Sequence, residues 1–158
     1  MTVWWGEAPV GQLMLDENGD IGFAYEDSWL ADPTRPPVSV SLPAQRGVFS
    51  RRATRSFFAG LLPEQWQREK VARALGVSQQ NDFGLLERLG GDVAGALTLW
   101  RQGETPPQPK GLRATKPLSD ERLLEILDEL PKRPLLAGAQ GVSLSLAGAQ
   151  EKLPVVLG

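Results

Sequence analysis

The stretch Leu13-Met14-Leu15-Asp16-Glu17-Asn18-Gly19-Asp20-Ile21-Gly22-Phe23-Ala24-Tyr25 decides the fold of this chain. Asn18-Gly19 is the strongest short-range hairpin signal, because a tight turn needs positive φ and both residues tolerate it. Before the turn, Val3 to Leu15 holds short apolar and aromatic runs broken by Gly6 and Gly11; after it, Ile21 to Tyr25 forms the returning strand. Val38-Ser39-Val40-Ser41-Leu42 alternates at period two, which puts Val38, Val40 and Leu42 on one face of a half-buried strand. The opening 42 residues therefore read as an antiparallel meander.

From Ser50 the period changes. Ala53, Phe57, Phe58, Leu61 and Leu62 recur at three- and four-residue steps, with Arg51, Arg52 and Arg55 largely opposite them, the pattern of an amphipathic helix. Pro63-Glu64 suits the first turn of a second helix, where a missing N–H costs nothing and a carboxylate meets the positive end of the dipole. Gly76 stops that helix, and Trp66, Val71, Ala74 and Leu75 form its apolar stripe. Asn81 or Asp82 can cap a third helix carrying Phe83, Leu85, Leu86 and Leu89, closed by Gly90-Gly91. Asp92 to Trp100 reads as a further strand.

Gln102 to Lys116 contains Pro106, Pro107, Pro109, Gly103 and Gly111 and too few large apolar groups to offset its ordering entropy, so an exposed connector is expected. Ser119-Asp120-Glu121 then opens a helix through Leu130, with Leu123, Leu124, Ile126, Leu127 and Leu130 as its apolar side and Pro131 at its end. Val142 to Leu146 and Leu153 to Leu157 flank a glycine turn as a final hairpin. A two-stranded hairpin is marginal alone in water, so either a longer polypeptide or a partner is expected to complete it. The fold class expected is α+β, an antiparallel sheet with helices packed on one side, followed by a helix and a β-hairpin. The units are residues 1–101, a connector over 102–118, and 119–158.

With 158 residues, 41% hydrophobic and 23% charged, the chain has the composition of an ordinary globular domain. It has no Cys and no His, which removes disulfides, thiol nucleophiles, Cys/His metal sites and imidazole acid–base chemistry. Lys and Arg total 17 against 19 Asp and Glu, so no long-range field draws the molecule to nucleic acid or anionic lipid. The N-terminal residues show no basic segment leading into an apolar run, and nowhere do 18 apolar residues stand together. A cytoplasmic protein without membrane attachment is expected.

The chemistry-bearing segment is Ser143-Leu144-Ser145-Leu146-Ala147-Gly148-Ala149-Gln150-Glu151-Lys152. Small residues at 147–149 let backbone N–H groups approach an anion closely, and Lys152 adds a charge within reach of a phosphate. The glycine spacing of a Walker A loop and the Gly-x-Gly pair of the common kinase loop are both missing. By spacing alone, a tight turn with a solvated Lys is the plain reading. Leu136 to Gly141 is a near-copy ten residues earlier, and two copies do not make a repeat protein. A small self-contained enzyme using Ser145 and Lys152 as nucleophile and base lacks any identifiable oxyanion donors or substrate pocket.

As a longer string, Leu144 to Leu153 resembles the signature at which HipA-type serine/threonine kinases, the toxin halves of HipBA toxin–antitoxin modules, begin their kinase-like region. Leu42-Pro43 with Arg46-Gly47, Phe57-Phe58 with Leu61-Leu62-Pro63-Glu64, Asp82-Phe83 with Leu85-Leu86, and Gly90-x-Asp92-x-x-Gly95-Ala96-Leu97 are similar, in order and spacing, to that family's N-terminal domain. The resemblance covers essentially the whole chain. It implies that Ala147, Gly148, Ala149, Gln150, Glu151 and Lys152 are the ATP-binding glycine-rich loop, and that the closing hairpin starts a kinase-like small lobe. It implies autophosphorylation at Ser145, with Ser143 the less favoured position.

A kinase also needs a strand Lys on the phosphates, a catalytic Asp, a metal-binding Asn/Asp set and a helical lobe. None follows residue 158, so the chain is expected to be a non-catalytic regulatory and interaction part of a kinase, with ATP and Mg belonging to the parent enzyme and no tight nucleotide binding of its own. A freestanding antitoxin-like subunit that docks on a separately encoded kinase core is the alternative. The resemblance implies a helix-turn-helix antitoxin, or the rest of the kinase, as partner; self-association stays open.

Arg35, Arg46, Arg51, Arg52 and Arg55 fall between Pro33 and Pro63, a stretch with no Asp or Glu. Charge runs are usually solvated helix faces, and the functional reading is a basic surface for an acidic partner or phosphates. The candidate partner residues are Arg46, Arg51, Arg52 and Arg55, with Trp66. The polar neighbours of Trp66 place its ring at a helix margin, whereas most of Trp4, Trp5, Trp29 and Trp100 belong in the core.

Overall fold

The Asn18-Gly19 turn forms as its chemistry requires, with Gly19 at φ 78° and the Asp16 carboxylate accepting from the backbone N–H groups of Asn18 and Asp20 at 2.9 and 2.8 Å. The computed structural model describes residues 1–91, 93, 95–107 and 119–129, and the backbone alone at 65, 66 and 129. Within them run strands β1 (Thr2–Trp5), β2 (Ala8–Leu15) and β3 (Ile21–Tyr25), the short helix α1 (Asp27–Leu30), and α2 (Arg51–Phe58) with a 3-10 turn over Ala59–Leu61. Helices α3 (Gln65–Leu75) and α4 (Asp82–Leu89), strand β4 (Leu97–Trp100) and helix α5 (Asp120–Glu129) follow. The four strands form one antiparallel sheet in the order β3-β2-β1-β4.

Val3 lies opposite Gly11 and Trp4 opposite Pro9, so Val10 is an extra residue and β2 bulges there. Past the bulge, Gly11 and Leu13 share a face with Tyr25 and Phe23, their partners on β3. Gly11 has no room for a side chain: a Cβ would stand 2.3 Å from the Ala24 carbonyl oxygen and 2.7 Å from the Phe23 ring. The core face carries Val3, Leu13, Phe23, Tyr25, Leu97 and Leu99, and Phe58, Leu62, Val71, Leu85 and Leu86 from the helices complete a single cluster with them. The α+β class with helices on one side of an antiparallel sheet is the observed one. The closing hairpin falls outside the described residues.

The segment 38–42 is not a strand. Leu42 N–H donates to the Ser39 carbonyl at 3.0 Å, closing a tight turn that leaves Val40 99% exposed. Three prolines in positions 36, 37 and 43 remove the donors a ladder needs, and the edge of β3 is taken by Phe49, whose N–H donates to the Phe23 carbonyl at 2.8 Å. The fourth strand therefore comes from Leu97–Trp100, beside β1. The residues just before β4 include Gly90 and Gly95 at positive φ, which shortens that strand from the span Asp92 to Trp100 that its composition suggested.

Both ends of the 38–42 turn are held by one hydroxyl. Tyr25 Oη donates to the Leu42 carbonyl at 2.5 Å and accepts from the Val38 N–H at 2.9 Å, and burial raises the phenol pKa against the smaller opposing effect of that N–H. Tyr25→Phe leaves a buried carbonyl and an N–H unmatched, so a loss of about 1–2 kcal/mol in urea unfolding is expected. An unchanged midpoint would show that the turn is held by packing alone.

Helix boundaries follow local chemistry with one shift, at the start of α3. Asn81 caps α4, its Oδ1 accepting from the Gly84 N–H at 2.8 Å, and Gly76 ends α3 at φ 66°. Glu64 sits at the N-cap position of α3 and Pro63 precedes it, so this pair leads into the helix instead of forming its first turn. On α3 the buried residues are Gln67, Val71 and Ala72, while Ala74 is exposed and Leu75 half-buried. On α5, Ile126 is buried and Leu123 half-buried, but Leu124 and Leu127 are exposed. Leu130 lies outside the described residues.

Candidate functional site

The acid-free stretch between Pro33 and Pro63 acquires acids from elsewhere in the chain. Arg35 pairs with Asp32 at 3.2 Å, Arg46 with Asp27 at 3.1 Å, Arg51 with Asp20 at 3.1 Å and Arg55 with Asp82 at 2.5 Å. Of the five arginines, only Arg52 has no carboxylate at ion-pair distance among the described residues; its side chain is exposed. Pairs such as Arg46–Asp27, both largely in water, contribute little to stability.

The arginines do not form one surface. Arg51, Arg52 and Arg55 line a groove of about 450 Å³ along the outer side of α2, together with Ser56 and Ala59. Arg46 lies in a separate depression of about 280 Å³ with Asp27, Leu30, Ala31, Ala44 and Gln45. Ser56 Oγ donates to the Arg52 carbonyl at 2.8 Å, so the helix backbone takes its hydrogen. The free donors of the groove are guanidiniums.

Behind the groove lies a contact that local sequence reasoning missed. The Asp82 carboxylate, 7% exposed, accepts from Arg55 Nε on α2 and from Arg68 Nη2 on α3, and so ties three helices together. Burial pushes its pKa up, and the hydrogen bonds and charges of the two arginines outweigh this, holding it below the ordinary aspartate range. The same contact raises the pKa of Arg55. Local sequence assigns Asp82 only a helix-start role; nothing in it signals a partner 27 residues away.

The tryptophans divide between roles. Trp29 is buried, donates to the Pro36 carbonyl at 3.2 Å and carries the Arg35 guanidinium 4.8 Å above its ring. Trp5, 40% exposed, stacks on it with centroids 6.1 Å apart. Trp4 and Trp100 are half-buried on the sheet face opposite the core, and their indole nitrogens, like Thr98 Oγ1 on the same face, are buried without hydrogen-bond partners among the described residues. The side chain of Trp66 lies outside the described residues. So do Ser143, Ser145 and the loop Ala147 to Lys152.

No group of acids that could hold a metal occurs among the described residues, and no helix among them is long and apolar enough to cross a membrane.

The sequence family described as the HipA N-terminal domain matches residues 1–100. Y4mE of Sinorhizobium fredii, provisionally named a kinase, is 54% identical over 99% of this chain and 38% of its own length. The serine/threonine-protein kinase toxin HipA of Shewanella oneidensis is 27% identical over 94% of this chain and 33% of its own length. The solved complex of Shewanella oneidensis HipA, HipB and operator DNA contains a chain similar in fold, with TM-score 0.64 and 25% identity over 96% of this chain and 34% of that one. The chain thus spans between 33% and 38% of the length of these relatives. With that family's model matching residues 1–100, the chain belongs to the HipA N-terminal domain family.

Proposed function

We propose that this chain is the N-terminal regulatory and interaction module of a HipA-like serine/threonine kinase. The observation that carries this reading is the alignment of nearly the whole chain with about the first third's worth of length in larger kinase-named relatives, with a domain match over residues 1–100. Phosphoryl transfer is almost wholly positioning and electrostatic stabilisation. The groups that do it, and the ATP and Mg they act on, belong to the remainder of the kinase in this reading.

Within it, Ala147 to Lys152 supply the glycine-rich loop over the nucleotide phosphates, with Lys152 as a positive charge beside them. Ser145 is the residue phosphorylated, with Ser143 second. A phosphate there adds a charge of about −1.5 to −2 and opposes nucleotide binding or loop closure. The partners are the rest of the kinase and a helix-turn-helix antitoxin, reached through the exposed arginines of the 46–55 segment.

The test is reconstitution. Purified chain, incubated alone with labelled Mg-ATP, is expected to stay unlabelled and to show no micromolar affinity in a calorimetric titration. Mixed with a kinase core of the same family, it is expected to form a complex and to take label at Ser145, and S145A is expected to abolish most of that label. Labelling of the chain alone, or no complex with the core, overturns the proposal.

A further inference from the structure

The guanidiniums of Arg51, Arg52 and Arg55 line the groove on α2, and with Arg68 behind it four guanidiniums meet two carboxylates, Asp20 and Asp82. Two positive charges are left over. One is on Arg52, which has no acid partner among the described residues and stands in the first turn of a helix with no acid there. The helix dipole disfavours a cation in that turn. Arg51 and Arg52 together in the first turn are therefore unfavourable for α2 by itself, whereas Arg55 lies in its last turn, and the groove that the three line with Ser56 and Ala59 is open.

Guanidinium groups bind carboxylates and phosphates through paired N–H donors, so this groove suits an oxyanion. Two observations decide which source. Arg51, which lines the groove, pairs with Asp20 at the close of the turn that also carries the exposed Asp16 and Glu17, and the chain as a whole has a net charge of −2. A nucleic-acid duplex, with one charge per about 1.7 Å of axis, would lay further phosphates against those acids. A short protein segment with one or two carboxylates matches the surplus and avoids the rim.

We infer that the Arg51/Arg52/Arg55 groove docks a short acidic segment of a protein partner, with Arg52 as the residue that grips a carboxylate. This rests on the reading of the chain as an interaction module and names the chemistry of what it takes. Arg55 is committed to Asp82 and Arg51 to Asp20, so those two shape the field while Arg52 makes the new contact.

The chain alone is the test material, which separates this inference from the reconstitution with a kinase core. The probe is a fluorescein-labelled peptide of alternating Glu and Ala pairs, followed by anisotropy at low salt. Saturable binding is expected, weakened about ten-fold by R52E, a loss equivalent to about 1.4 kcal/mol. R88E makes the same change in net charge at an exposed position of α4 outside the groove and is expected to stay within about two-fold of wild type. R52Q, which adds no repulsion, is expected to fall between R52E and wild type and serves if R52E alters the fold. No saturable binding, or equal losses in R52E and R88E, would overturn the inference. Tighter, R52E-sensitive binding of a short DNA duplex would overturn the choice of a protein partner.

Discussion

Phe23→Ala is expected to destabilise the chain by about 3–5 kcal/mol, the largest effect of any single side-chain truncation here. Phe23 is fully buried, with its ring centroid 4.9 Å from Tyr25, 5.2 Å from Phe58 and 6.2 Å from Phe49. Those rings come from β3, from α2 and from the segment that runs along the edge of β3, so Phe23 joins sheet, helix and edge cover. Its ring also lies against the backbone of Gly11, where no Cβ can follow to fill the space it vacates. A site closed by backbone on one side and aromatic rings on the others collapses poorly, which places the cost toward the upper end. Urea unfolding at neutral pH checks this, with Phe23→Leu expected to lose far less. A loss under about 1 kcal/mol for the alanine variant would mean that the aromatic cluster is not the centre of the fold.

Asp82→Asn is expected to cost about 2–3 kcal/mol at pH 7, below the figure for a fully buried ion pair because Arg55 is half in water. Asparagine keeps the shape but leaves two guanidiniums without their carboxylate. The pH dependence distinguishes a charge effect from a packing effect. Desolvation raises the Asp82 pKa, and Arg55 and Arg68 lower it by more, so its folded value lies below its unfolded one. The unfolded chain then takes up the proton first as pH falls. The contribution is complete above the ordinary aspartate value of about 3.9 and disappears as pH drops through the folded value. Urea midpoints between pH 7 and pH 3 should therefore fall more steeply for wild type than for the variant. Parallel profiles would show that the carboxylate charge plays no part.

Much of the fold was legible from local chemistry. Asn18-Gly19 announced the β2–β3 hairpin, the three- and four-residue spacing from Ala53 to Leu62 announced α2, and Asn81 and Gly76 marked helix ends that the structure keeps. The 38–42 segment misled because alternation is only a necessary condition for a half-buried strand. Its flanking prolines and the occupation of the β3 edge by Phe49 decided otherwise. In α3, the two alanines hid which one faces inward, and the helix phase set by its neighbours chose Ala72 over Ala74.

The candidate surface was half legible. That the arginines of 33–63 lack local acids is plain in the sequence, and so is the exposure of Arg51, Arg52 and Arg55 on a helix face. That Arg46 stands apart from Arg51, Arg52 and Arg55, and that Arg52 alone among the five keeps no carboxylate among the described residues, depends on which acids the fold brings back to them.

By itself the sequence determined the α+β class, the hairpin turn, the helix caps and the family, because each rests on residues within a few positions of one another or on an ordered set of motifs. Tertiary structure alone decided which strand fills the sheet beside β1, why Gly11 must lack a side chain, and how Asp82 gathers Arg55 and Arg68. Those outcomes depend on contacts between residues far apart in the chain, whose energies no local pattern encodes.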